Sequence, residues 1–289
     1  MTVKMAVPNK GRLNERAIEL ITKAGIQLGD DWGRKLNIHV PDLDLEVFFI
    51  RAQDIPVFID SGAVDFGITG QDVEAEAGKK LTDILDLNFG QCRLAIAAPD
   101  DSEIAKTGKM KDGIRVATSF PKLTKKFFDA KGIKADIVFV QGAAEIMPLL
   151  GVSDCIADLV ATGGTLRMNH LVEVVTIIES QASVFTSKAA MKDAEKKRRI
   201  TEIVDAIRSV LDAEGKKYLM ADVPKKRLKE VERIVPGIGG PTVIDLAGND
   251  DCVAIQVVIA AEDSYRIVAE LKKIGAKGIL TIPIERLVE

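Results

Sequence analysis

The sequence predicts an α/β protein of two solute-binding-protein-like lobes followed by a separate module with ferredoxin-like βαββαβ order. Three observations predict this fold. Apolar strand-like runs alternate with helical patterns from the first residues, which is the grammar of βαβ units and implies a largely parallel sheet covered by helices. Strand-like runs near Cys92 and Ser183 bracket a middle segment that can fold as a lobe of its own. After Gly215 the repeated βα pattern gives way to βαββαβ.

In chain order, the pattern predicts a strand over 3–7, a helix over 13–24, a strand over 45–50, a helix over 55–60 and a strand over 64–68. A second series opens with a strand over 92–98 and continues with strands over 114–117, 137–140 and 155–160. A short strand over 183–186 precedes a highly charged helix from 188 to about 211, on which Glu195-Lys-Lys-Arg-Arg199 reads as a solvated face. The last module is read as a strand over 218–223, a helix over 225–235, strands over 242–246 and 253–260, a helix over 264–274 and a strand over 279–284. Gly237, Gly239, Gly240 and Pro241 break the chain before its second strand, and Asn249-Asp-Asp251 reads as a polar hairpin tip. The expected division is 1–91 plus 180–212 for lobe I, 92–179 for lobe II and 213–289 for the final module.

Composition narrows the class. With 289 residues, 47% of them apolar, 29% charged and a net charge of −3, the chain is an ordinary globular protein of two or three domains. No basic tail or patch calls for nucleic acid. The longest apolar runs fall far short of the ~20 residues of a membrane span, and the first residues lack the form of a signal peptide, so a cytoplasmic protein is expected. Cys92, Cys155 and Cys252 stand far apart inside apolar runs and read as buried hydrophobes rather than a disulfide frame. Two histidines, His39 and His170, argue against a histidine metal centre.

The stretch from Asp158 to Asn169 is the most informative. An apolar run ending in an acid passes into Thr162-Gly-Gly-Thr165 and then into a helix-like pattern on which Leu166, Asn169 and His170 share a face. Two glycines at a strand-to-helix turn allow positive φ and close approach of the backbone, so that N–H groups can point at a phosphate with a helix dipole behind them. Thr162 and Thr165 add hydroxyl donors, and Asp158 is placed to accept from ribose hydroxyls. The competing reading is an ordinary capped βα turn.

These segments together resemble ATP phosphoribosyltransferase in its long form, the first enzyme of histidine biosynthesis. The resemblance rests on Pro8-Asn-Lys-Gly-Arg-Leu13, Arg51-Ala-Gln-Asp-Ile-Pro56, Gly62-Ala-Val-Asp-Phe-Gly-Ile-Thr-Gly70, Cys92-Arg-Leu94, Ala117-Thr-Ser-Phe-Pro121, Asp158 to Asn169 and the loop from Pro236 to Thr242. It covers essentially the whole chain. It implies two catalytic lobes of type II periplasmic-binding-like form, a C-terminal histidine-binding regulatory module, and a homo-oligomer, a dimer building a hexamer. The implied reaction joins N1 of the adenine of ATP to C1 of phosphoribosyl pyrophosphate and releases pyrophosphate, with Mg2+ present.

The resemblance also assigns roles. Ala161, Thr162, Gly163, Gly164 and Thr165 would hold the 5-phosphate, with Asp158 facing the ribose hydroxyls. Ala157 stands where related enzymes often carry a second acid, so magnesium is expected to ride on the pyrophosphate with few protein ligands. Lys10 and Arg12 lie on the turn after the first strand, where cations oppose the helix dipole and so ask for an anionic partner. Arg51, at a strand end, joins them as a catalytic candidate. Arg16 could extend that cationic face or simply be solvated. Asp72, Thr118, Ser119 and Glu145 are candidates for ATP, each with a helix cap or a first-turn charge as its competing reading. Asp222, Ile238, Thr242 and Ala276 are implied to line the histidine site.

The chemistry suits this inventory. Adenine N1 carries no proton at neutral pH, so poverty in histidine is no obstacle, and the work falls on positioning, cations and backbone donors. A non-catalytic amino-acid sensor or solute-binding protein of the same fold is the alternative, and a phosphoribosyltransferase acting on another base is a third. A phosphate cradle is superfluous in a pure amino-acid binder.

Overall fold

A computed structural model of the chain describes residues 2–29, 32–237 and 239–288. It divides into two compact units, Met1–Val204 and Asp205–Glu289. The first unit runs β1 (Val3–Pro8), α1 (Asn14–Lys23), β2 (Asn37–Val40), β3 (Leu45–Ile50), α2 (Ile55–Asp60), β4 (Phe66–Gly70), α3 (Gln71–Ala77), β5 (Thr82–Asp86), β6 (Cys92–Pro99) and α4 (Glu103–Thr107). It continues with β7 (Arg115–Thr118), α5 (Pro121–Ala130), β8 (Asp136–Phe139), β9 (Cys155–Val160), α6 (Gly164–Met168), β10 (Leu171–Ser180), β11 (Ala182–Thr186) and α7 (Ala194–Ala213), inside which the division falls.

The two-lobe expectation is met by two sheets with strand orders β2-β3-β1-β4-β11-β5 and β10-β6-β9-β7-β8. The chain leaves the first sheet after β5 and returns to it through β11, with Gln181 alone between β10 and β11. The two crossings run side by side, since Leu87 N–H donates to Ala182 O at 3.0 Å and Ala182 N–H to Phe89 O at 2.9 Å.

The expectation of a largely parallel sheet is corrected. β1 runs parallel to β3 and β4, and β7 parallel to β8 and β9, but β2, β5, β6, β10 and β11 all pair antiparallel. β2 is the first arm of a hairpin with β3, and for the others the cause is the double crossing: a chain that leaves one sheet and comes back enters it from the opposite end. Each lobe therefore keeps a parallel triple, β3-β1-β4 or β8-β7-β9, flanked by antiparallel strands. β2, β5 and β10 are strands that the reading of the sequence did not include.

The parallel strands are apolar because helices cover both of their faces. In β1 only Lys4 is exposed. In α1 the buried positions are Ala17, Ile18, Leu20 and Ile21, a stripe at helical spacing. α7 starts later than expected, at Ala194, and its basic run is more than a solvated face. Lys196 Nζ donates to the buried Asp65 at 2.6 Å, and Arg199 pairs with Asp44 at 3.3 Å. Both pin α7 to the first sheet.

α3 belongs to the first sheet by sequence and to both by packing. Its Ala75 packs against the core of the second sheet. Its Glu76 carboxylate accepts from the N–H groups of Lys122 and Leu123, each at 2.9 Å, and so caps α5.

The second unit contains β12 (Lys216–Pro224), α8 (Leu228–Ile234), β13 (Thr242–Leu246), β14 (Asn249–Ala260), α9 (Ser264–Lys273) and β15 (Lys277–Pro283). The strand order β13-β14-β12-β15 with every pairing antiparallel is the ferredoxin-like arrangement. Leu219, Ala221 and Val223 of β12 alternate inward with Val253, Ile255 and Val257 of β14, against Val231 of α8 and Ile267 and Leu271 of α9. The hairpin tip is Ala247-Gly248, and Asn249 already pairs with Leu246, so the polar triplet begins β14 rather than forming the turn.

Candidate functional site

The parallel register of β8, β7 and β9 brings three expected contributors to one sheet edge. Thr118 pairs with Phe139 on one side and Ala157 on the other, so the segments after β7, β8 and β9 leave the sheet together. That is where α/β sheets bind ligands.

Asp158 lies near the end of β9, half-buried. Burial raises its carboxyl above the ordinary range, and the charge of Glu145, on a one-turn 3-10 helix, pushes in the same direction. Its Oδ1 accepts from the N–H of Leu159 at 2.8 Å. A desolvated carboxylate with a single close donor is poised to accept from hydroxyls. Glu145 is thus an acid whose charge is felt by Asp158, although the sequence neighbour of Asp158 is Ala157.

In the loop, Ala161, Thr162 and Thr165 are exposed. Gly163 takes φ +73°, the left-handed conformation the turn was expected to need. Gly164 does not share it, and a Cβ there would meet only Thr162 Oγ1 at 3.7 Å. α6 spans five residues and ends at Met168, with His170 at φ +54°, so Asn169 and His170 do not share a helical face with Leu166. So short a helix brings little dipole, and the donors here are the loop amides themselves.

Thr118 and Ser119 do not form a phosphate cradle of their own. Thr118 is fully buried, and its Oγ1 accepts from Phe120 N–H at 2.9 Å and from the Thr124 hydroxyl at 3.4 Å. Ser119 is half-buried, and the first amides of α5 serve Glu76.

At the edge of β3-β1-β4, the turn after β1 and the end of β3 place Lys10, Arg12 and Arg51, all exposed. Arg12 is the anchored one. Its Nη1 donates to Gly90 O in the crossing, and its Nη2 lies 3.5 Å from Asp72 Oδ1. Asp72 is fully buried: Oδ1 accepts from the Ser180 hydroxyl at 2.6 Å, while no hydrogen-bond partner among the described residues reaches Oδ2. Asp72 therefore offers ATP no exposed atom and acts on Arg12. Arg16 donates to Glu19 at 2.6 Å, one turn along its own helix, and the hydrogen bond from Lys23, with that from Arg16 behind it, lowers the Glu19 carboxyl to about 2.

In the second unit, Asp222 and Thr242 share one sheet face, since they pair with Ala254 and Gln256, two residues apart on β14. Ala276 is instead buried in the core, its N–H donating to Leu271 O at 3.0 Å, and presents no lining surface. Ile238 lies outside the described residues.

Two contributors went unread in the sequence, Arg93 and Arg167, whose guanidiniums meet loop carbonyls. β10 was missed too, although the β-branched run Val172 to Ile178 signals a strand.

Comparisons with known proteins bear on the family and the fold. The family model described as ATP phosphoribosyltransferase matches residues 51–209, and the model described as HisG, C-terminal domain, matches residues 213–286. An ATP phosphoribosyltransferase of Natronomonas pharaonis is 44% identical over 286 residues, 99% of this chain and 100% of that protein. One of Gemmatimonas aurantiaca is 42% identical over 99% of both chains. The solved ATP phosphoribosyl transferase (HisG:HisZ) complex from Thermotoga maritima aligns with a TM-score of 0.63 and 26% identity, covering 72% of this chain and 99% of that one. A putative L-cystine ABC transporter protein of Listeria monocytogenes, TM-score 0.50 and 16% identical over 73% of this chain and 91% of its own, shares the fold alone. The two matched family models and relatives similar from end to end lead to one conclusion: the chain belongs to the ATP phosphoribosyltransferase family, in its long form with the C-terminal domain.

Proposed function

We propose that the two carboxyl edges of the first unit bind phosphoribosyl pyrophosphate and ATP for the family's reaction, the first step of histidine biosynthesis. The observation that supports it most is the loop 161–165, with Ala161, Thr162 and Thr165 exposed, beside a desolvated Asp158. In this reading the loop amides and the hydroxyls of Thr162 and Thr165 take the 5-phosphate, and Asp158 takes the ribose hydroxyls. Lys10, Arg12 and Arg51 face the pyrophosphate and triphosphate. N1 of adenine attacks C1 of the ribose as the bond to pyrophosphate breaks, and no general base is needed to free the nucleophile. Positive charge develops at the ribose carbon, and the leaving group gathers negative charge that the cations offset.

Magnesium, when bound, would neutralise the pyrophosphate. In this reading Asp158 and Glu145 are the acids that would stand on the ribose side of it. Among the described residues no cluster of three His, Cys, Asp or Glu side chains stands together.

Lobe I over 1–91 and 180–212, lobe II over 92–179 and the regulatory module over 213–289 complete this reading, in a homo-oligomer of dimers and hexamers. The cytoplasm is its proposed location. No helix among the described residues is long and apolar enough to cross a membrane. The test is an assay with ATP, phosphoribosyl pyrophosphate, magnesium and pyrophosphatase, following the adenine absorbance. Turnover is expected. Its absence, together with no binding of phosphoribosyl pyrophosphate, would return the chain to the solute-binder reading.

Histidine is proposed as feedback inhibitor, its cationic groups paired with Asp222 on the sheet face that also carries Thr242. Asp222→Ala is expected to weaken inhibition by about tenfold, the loss of one charge-assisted hydrogen bond, without lowering the uninhibited rate. An unchanged inhibition constant removes Asp222 from the site.

A further inference from the structure

The carbonyls of the loop are held from behind. Arg93 Nη1 donates to Ala161 O at 3.4 Å, and Arg167 Nη1 donates to Thr162 O at 3.3 Å. In a planar trans peptide the C=O of one residue and the N–H of the next point in opposite directions. Turning the Ala161 oxygen toward Arg93 therefore turns the Thr162 N–H away from it. Arg167 does the same for the N–H of Gly163. Two successive amides are thereby directed away from the two guanidiniums.

The Arg93 guanidinium is itself fixed. Arg93 donates from Nε to both oxygens of Glu173, at 2.7 and 3.0 Å, and from Nη2 to Oε2 at 2.6 Å. Thr176 Oγ1 donates to Glu173 Oε1 at 3.1 Å, and the fork holds the Glu173 carboxyl below its ordinary range, so both charges persist. Such paired hydrogen bonds fix a planar group in direction as well as distance. Arg93 is next to the crossing on β6 and pairs with Val160, the last residue of β9, so its anchor sits at the root of the loop. Arg167 is one helical turn past Gly163, where a Cβ would come within 3.3 Å of its Nη1.

We propose that Arg93 and Arg167 are positioning residues that preset the Thr162 and Gly163 amides for a phosphate, without touching it. This rests on the loop being the phosphoribosyl pyrophosphate site. The loop bonds are long, so the effect is one of orientation and graded in size.

The experiment measures dissociation constants for phosphoribosyl pyrophosphate and for ATP by calorimetry on Arg93→Gln, Arg93→Lys, Arg167→Met and Arg167→Lys, beside the wild type and Gly164→Val. Arg93→Gln is expected to weaken phosphoribosyl pyrophosphate about tenfold and Arg167→Met about fivefold, with ATP affinity within about twofold of wild type. The lysine variants keep the charge and lose the fork, so they should recover little. Full recovery by lysine would show that charge alone acts and would overturn the presetting. Equal losses for both substrates would show a merely structural role. Wild-type affinity in the Gln and Met variants, with Gly164→Val unable to bind, overturns this inference and leaves the loop assignment standing. Wild-type affinity in Gly164→Val overturns the assignment itself. Arg167 is exposed, so its variants carry the test if Arg93→Gln fails to fold.

Discussion

Gly164→Val is expected to weaken phosphoribosyl pyrophosphate binding by at least about 100-fold while leaving the protein folded. The two halves of that expectation have separate causes. Gly164 lies outside the left-handed region, and a Cβ built on it meets nothing nearer than Thr162 Oγ1 at 3.7 Å. The chain therefore has room for the side chain, and the cost to stability should stay within about 1 kcal/mol, the spread of helix propensities at such a position. The valine occupies the space in front of the amides, where a phosphate must come within hydrogen-bond distance of the backbone. Gly163→Val is the contrasting case. At φ +73° a β-branched residue is strained by about 1–3 kcal/mol, and its Cβ also crowds Arg167. That variant should lose stability and binding together. Thermal melts and calorimetry on the pair read both quantities. A Gly164→Val protein with a wild-type melt and wild-type affinity would place the phosphate elsewhere.

The same two glycines show how far the sequence could be read. That a tight turn follows β9 is legible, because strand, acid, glycines and threonines are neighbours in the chain. Which glycine carries the positive φ is not, because that depends on where the turn ends and α6 begins, with Gly163 as the cap. The ferredoxin-like module was legible almost to its ends, since its alternation is local and its four strands are consecutive. The antiparallel strands were less so. β2 and β5 are short, half-exposed edge strands without a strong apolar signal. The contacts that organise the site are the least legible of all. Ser180 and Asp72 are 108 residues apart in the chain, and Glu173 and Arg93 are 80 apart. A polar residue inside a strand gives no sign of its partner until the double crossing brings the two together. Asp72 read as a cap or an ATP contact for that reason, and Arg93 read only as part of a motif.

Arg12→Met is expected to lower kcat/KM by about 100-fold, equivalent to about 2.7 kcal/mol of transition-state stabilisation, and to lower stability as well. The loss of activity follows from the proposed role of Arg12 at the pyrophosphate, where a guanidinium offsets charge that grows as the leaving group departs. The loss of stability follows from what Arg12 leaves behind. Asp72 is fully buried, its Oδ2 already lacks a partner, and Arg12 is its cationic neighbour at 3.5 Å. Stripping the cation from a buried carboxylate costs about 3 kcal/mol or more. The two effects can be separated by adding Asp72→Asn, which is isosteric, uncharged, and able to keep a hydrogen bond with Ser180. In the double variant the buried charge is gone, so stability should return most of the way to wild type. The rate should not return, because no cation has been restored. Recovery of activity together with the melting temperature would show that Arg12 serves only to neutralise Asp72. Recovery of stability alone would show that one guanidinium joins the turn after β1 to the crossing and also acts on the substrate, so that the contacts of the crossing and the charge chemistry depend on the same side chain.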